Sequence, residues 1–269
     1  MSIASISIHS INSFLIASLL FVGIILFYFI GLKIFQYKKK RTPTFEPTGI
    51  GPFEGAMLGL ISLLLAFTFN QSASNYNKRM DLLMQESNSI STVLLKADLY
   101  PDSSRNEFRK DLQEYIKRRV QYYELLGDEK KISKSIQEAN IISKRIWRNA
   151  ATISQKDQAT VKSMQMLPAI SQMIDLVSLR EEARKTHVPD PILWLLLFLC
   201  IMGSFIVGYA SKSKRADWII LFSYSIITVM TVYLIIDLDQ PRYGTINTNS
   251  THRNMIDLLD SFQEDTTNQ

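Results

Sequence analysis

Few residues in this sequence are arranged as catalytic or metal-binding groups are. Its three histidines, His9, His187 and His252, are widely separated, and the single cysteine, Cys200, lies inside an apolar run. No pair has metal-ligand spacing, and one cysteine cannot close an intrachain disulfide, so no metal or cofactor is expected. Cys200 reads as a small packing residue. Met164, Met166 and Met173 could offer soft ligands, but with no His or Cys beside them they read as packing residues. The acidic pair Glu181-Glu182 is flanked by Arg180 and Arg184, and ion pairing explains it. The sequence contains no phosphate-binding glycine loop, no HExxH and no GxSxG, so an enzyme is not expected.

Two other groups of residues carry physical information. Gly51, Gly55 and Gly59 are four apart and share a helical face. Such a face lets another helix approach closely. It equally suits a pore wall, with Gly55, Gly59 and Ser62 along it and Phe67, Phe69 and Asn70 at its mouth. In the second group, Asp237 and Asp239 close an apolar run, where a carboxylate is costly unless paired. Arg79, Arg180 and Arg184 stand at the ends of neighbouring segments, and the expectation is a membrane-boundary belt linking Asp239 to one of them.

These residues must be positioned by helices. The 269-residue chain is 46% hydrophobic and 20% charged, so its average resembles a soluble protein and only the distribution is informative. Residues 11–32, 53–69, 192–210 and 218–236 are apolar runs, the second carrying only Glu54. At about 1.5 Å per residue they reach across, or nearly across, a hydrocarbon core of roughly 30 Å. The first run lacks a basic residue before it and exceeds a signal-peptide core, so an uncleaved membrane helix is expected. Trp194, Tyr209, Trp218 and Tyr233 fall near span ends, where amphipathic rings favour the interface.

Lys33, Lys38, Lys39, Lys40 and Arg41 follow the first span, and Lys212, Lys214 and Arg215 follow the third. The positive-inside rule puts both short loops in the cytoplasm and residues 70–190 outside, in the plasma (cytoplasmic, inner) membrane. The net charge of +5 is thereby explained as topology, and nucleic acid loses its support as a partner.

The charged middle keeps helical spacing. Ala73, Tyr76, Met80, Leu83, Ser87, Ile90, Leu94 and Ala97 form a three-four seam, and no Pro or Gly separates Leu60 from Leu99. The second span is therefore expected to continue as one rod until Tyr100-Pro101. Ser104 and Glu107 form a capping box for the next helix, with the stripe Phe108, Leu112, Tyr115, Arg119, Tyr122 and Leu126 ending at Gly127. A helix from Ile132 to Ile153 follows, then one beginning near Gln155 and kinked or interrupted at Pro168. The expected fold is all-α: four transmembrane helices with a long antiparallel helical bundle inserted between helices two and three. The expected parts are 1–69, 70–190, 191–240 and a polar tail, 241–269.

The same places carry a family resemblance. Asp237-Leu238-Asp239-Gln240-Pro241-Arg242-Tyr243-Gly244 resembles the LDxPxxG ending of the DUF4239, or bestrophin-like, family. Leu65-Ala66-Phe67, with Glu86-Ser87-Asn88 further along, resembles its LLAF segment and following stretch. Arg180-Glu181-Glu182-Ala183-Arg184, then Pro191 and Trp194, resembles its approach to the third membrane helix. Gln240 and Arg242 depart from the usual Arg and aromatic residue. The resemblance implies a multi-pass membrane protein, and the bestrophin label implies an oligomeric channel for a small inorganic anion. Bestrophins place their helical domains in the cytoplasm, opposite to the loop charges here, and the charges set the expected orientation. The alternative is a non-conducting sensor or scaffold whose bundle binds a partner or self-associates. The expected partners are the lipid bilayer and further copies of the chain.

Overall fold

The computed structural model describes residues 8, 11–42, 44, 50–125, 128–155, 160–211, 216–240 and 253–260. The long elements among them are all helices: α1 (Ser13–Arg41), α2 (Ile50–Ala97), α3 (Asp102–Glu124), α4 (Glu129–Ser154), α5 (Thr160–Lys185), α6 (Asp190–Ala210) and α7 (Trp218–Asp239). Residues 253–260 are also helical. The chain divides into two units, Met1–Tyr76 with His187–Ile246 and Asn77–Thr186 with Asn247–Gln269.

In the first unit, stretches of α1, α2, α6 and α7 are long and apolar enough to cross a membrane, as the four apolar runs predict. Local signals start these helices. The Asn12 side chain accepts from the Phe14 N–H at 2.8 Å at the head of α1. Asp217 does the same for Ile219 and Ile220 at the head of α7. Pro191 sits in the first turn of α6, where its missing N–H costs nothing.

Packing of α1 on α6 depends on two glycines outside the anticipated stripe. A Cβ on Gly31 would overlap the Phe205 carbonyl, and one on Gly208 would overlap the Tyr28 carbonyl. The two backbones touch there because both positions lack side chains. The Ser204 hydroxyl donates to the Ile24 carbonyl across the same contact at 2.9 Å. Cys200 is fully buried, and its carbonyl accepts from the Tyr224 hydroxyl at 2.8 Å.

In the second unit, Ile90, Val93 and Ala97 of α2 pack with Phe108, Leu112, Tyr115 and Ile116 of α3. Ala139, Ile142 and Ile146 of α4 and Met166, Ile170 and Met173 of α5 complete that core. The polar tail expected at 241–269 contributes too: Met255 is buried here, with Leu258 and Leu259 packed against the cluster. Their three-four spacing makes 253–260 amphipathic.

The rod predicted for the second span is α2, a single helix of 48 residues. Two local expectations are revised, and a third, a kink or interruption at Pro168, is narrowed to an uninterrupted helix. Helix α3 starts at Asp102 directly after Pro101 with no side-chain cap, so Ser104 lies inside it. Gln155 caps the end of α4 rather than opening the next helix. Helix α5 continues through Pro168, since a proline removes one hydrogen bond and the packed face bearing Met166, Ile170 and Met173 outweighs that loss. Leu126 and Gly127, the basic residues Lys212, Lys214 and Arg215, and Pro241 to Gly244 lie outside the described residues.

Candidate functional site

The second unit holds a buried charge cluster. Glu86 on α2 is fully buried, and its carboxylate accepts from Arg119 on α3, from Nε at 2.5 Å and from Nη2 at 3.2 Å. Arg180 on α5 pairs with the same carboxylate. Tyr122 lies beneath both guanidiniums, with ring centroid distances of 4.7 Å to Arg119 and 5.6 Å to Arg180. One carboxylate thus joins three helices.

Burial alone would raise the Glu86 pKa, but the charges of Arg119 and Arg180 outweigh it and hold the carboxyl well below the ordinary range. Burial would likewise lower the Arg119 pKa, and Glu86 pushes it up instead. Glu86 and Arg119 therefore stay charged. Glu86 lies 17 residues beyond Phe69, outside the spanning run.

The remaining arginines of the anticipated belt also have partners in this unit. Arg79 donates from Nε to the Ala183 carbonyl at 3.0 Å and from Nη2 to the Thr186 carbonyl at 2.6 Å, capping the end of α5. Arg184 makes a two-pronged contact with Glu129 at 2.7 and 2.9 Å and another with Glu181 at 2.8 and 2.9 Å.

The anticipated carboxylates belong to the first unit and are both buried. Asp237 accepts from the Ser13 hydroxyl at 3.4 Å. Asp239 accepts from the Val188 N–H at 3.0 Å and from the Asn75 side-chain amide at 3.3 Å. His187 Nδ1 lies 3.1 Å from the Asp239 carbonyl oxygen and 3.4 Å from its carboxylate. The end of α7 is thus fastened to α1, α2 and the segment before α6.

The spanning part of α2 differs from its neighbours. In its most apolar stretch 11% of residues are buried, against 39% in α1 and 33% in each of the other two spans. Ile61, Thr68 and Ser72 form the covered face. At about 100° per residue, the exposed positions form one continuous arc of about 200°, from Phe69 round to Phe53. Phe69, Ser62, Gly55, Ala66, Gly59 and Asn70 occupy one side of that arc, and Leu63, Ala56, Phe67, Leu60 and Phe53 continue it on the other. Among the described residues nothing lies within 4 Å of a Cβ position at Gly55 or Gly59, so no described helix uses the close approach they offer. Phe67 lies about 60° round the helix from Asn70, on the bulky side of that arc.

Glu86 was missed because a seam chosen by hydrophobicity passes over it. The signal that could have found it is Arg119, a cation at a core position of the α3 stripe, which demands a buried anion. Glu86 lies between Leu83 and Ile90 on the facing seam and meets that demand.

A chain whose long described elements are all helices, four of them long and apolar enough to span a bilayer, is an integral membrane protein. It belongs to the Bestrophin-like domain family, whose model matches residues 19–252. A crystal structure of a bacterial bestrophin homolog from Klebsiella pneumoniae resembles it with a TM-score of 0.67 at 14% identity, over 90% of this chain and 97% of that one. A tryptophan-to-alanine variant of that homolog gives 0.68 at 14% identity, covering 91% and 97%. A membrane protein with a serine-to-alanine change gives 0.70 at 13% identity, covering 91% and 97%. At these identities the likeness is one of fold. No curated protein matches the chain.

Proposed function

We propose that this chain assembles with further copies of itself into a channel for a small inorganic anion, with α2 around the conducting path. The observation that carries this reading is the uncovered span of α2, whose exposed arc has a small, polar flank adjoining a bulky, mainly apolar one. A wall of Gly55, Gly59 and Ser62 brings helix backbone close to the path, and no carboxylate stands on that flank between Gly55 and Asn70. Asn70 offers amide donors at the mouth, and Phe69 beside it suits a hydrophobic constriction that gates by dewetting. Phe67, on the other flank, meets lipid or the neighbouring copy. Residues 70–190 form an antiparallel bundle inserted between the second and third spans and facing away from the cytoplasm, on the side opposite the basic end of α1 carrying Lys38 to Arg41.

Purified protein in planar bilayers tests the path. Anion conductance that changes with Ser62→Leu, Phe69→Ala and Asn70→Asp, and stays constant with Leu60→Ala, supports the reading. Absent conductance, or conductance indifferent to the first three changes, overturns it and leaves the non-conducting scaffold. Labelling of single cysteines at exposed Lys134 and Lys40 from each side of the membrane tests the orientation independently.

A further inference from the structure

Helix α1 presents one uncovered stripe along its whole length. Leu15, Leu19, Val22, Leu26 and Ile30 are exposed, at spacings of four, three, four and four. Lys33, Tyr37 and Arg41 continue the same stripe, so it turns from apolar to basic at the residue where the hydrocarbon span is expected to end. The nine residues from Lys33 to Arg41 rise about 13 Å further, through the headgroup layer.

At that end lies a groove of about 490 Å³ lined by Lys33, Ile34, Tyr37, Lys38, Arg41 and Thr42. Three of these six residues are cationic and none is acidic. Side-chain contacts hold two of the cations in place. The Arg41 guanidinium lies 5.5 Å from the Tyr37 ring centroid, and the Lys38 ammonium donates to the Tyr209 hydroxyl at 3.0 Å.

We propose that this groove binds the phosphate headgroup of an anionic phospholipid, whose acyl chain lies along Ile30, Leu26 and Val22. The continuity of the apolar stripe with the basic groove selects a lipid over a soluble anion, because one molecule then satisfies both parts. Three cations without a carboxylate select an anionic headgroup over a zwitterionic one. The site is independent of whether the protein conducts.

The test is retention of added phosphatidylglycerol or phosphatidylcholine by the full-length protein in detergent, read by native mass spectrometry. Phosphatidylglycerol is expected to be retained preferentially. At about 1 kcal/mol for each basic residue, each neutralisation costs about five-fold, so Lys33→Gln with Arg41→Gln lowers retention about 25-fold. Lys33→Arg with Arg41→Lys keeps it. Equal retention of both lipids by the native protein overturns the proposal, as does equal loss in the charge-conserving and neutral variants. Glycerophosphate competing as well as the lipid shows a phosphate site without a lipid and also overturns it. A disulfide between copies carrying cysteine at Val22, with no lipid retained, assigns the stripe to a second copy and likewise overturns the proposal.

Discussion

Replacing Glu86 with glutamine removes the one anion between two buried guanidiniums while keeping the side chain's shape. In the native chain the Arg119 side chain is 1% exposed and that of Arg180 is 10% exposed, so neither can recover its hydration without opening the core. Breaking a buried ion pair by removing one partner costs about 3–5 kcal/mol. Because one substitution here leaves two cations facing each other, about 4–5 kcal/mol is expected. That is a shift of roughly a thousand-fold or more in the folded-to-unfolded ratio. Denaturant unfolding of the detergent-solubilised protein measures it, with Trp194 and Trp218 changed to Phe so that Trp147 of α4 reports. Replacing the whole cluster by Glu86→Leu, Arg119→Met and Arg180→Met should restore most of the loss, because no charge then needs a partner. A Glu86→Gln chain within about 1 kcal/mol of the native one would refute the reasoning, since the three charges would then be solvated rather than mutually neutralised.

The same cluster makes stability depend on pH. The folded Glu86 pKa is depressed, so its contribution is complete above the unfolded value of about 4.3 and is lost as pH falls toward the folded one; Glu86→Gln should flatten that acid limb in thermal melts. Gly31→Ala and Gly208→Ala each drive a methyl into backbone and should cost about 1–3 kcal/mol, whereas Gly59→Ala should leave the stability of a single chain unchanged, all read by thermal melting. Asp239→Ala strands the buried Val188 N–H and the Asn75 amide and should cost about 2–4 kcal/mol, measured as faster proteolysis between α5 and α6. Arg184→Gln removes two partly exposed pairs and should cost about 1 kcal/mol or less for each in the same denaturant assay.

The rod α2 and the four spans were readable because hydropathy and helix-breaking are local: an uncharged run of spanning length, or the absence of Pro and Gly from Leu60 to Leu99, needs no knowledge of neighbours. The α3 stripe was readable for the same reason, down to Arg119 standing among apolar residues. The glycines were legible only in part. Spacing locates Gly55 and Gly59 on a common face, but the close backbone contact inside the chain uses Gly31 and Gly208, which share no motif in sequence.

By itself, then, the sequence determined which segments are helical and which of them suit a bilayer, because those properties reside in single stretches of chain. Only the tertiary structure decided which polar groups meet. Glu86 and Arg119 are 33 positions apart, Glu86 and Arg180 94 apart, and Asp239 and Asn75 164 apart. A buried charge is tolerated only where an opposite charge arrives from another helix, and that arrival is set by packing rather than by spacing along the chain. Which arc of α2 stays exposed was likewise invisible until Ile61, Thr68 and Ser72 were seen to be its covered face.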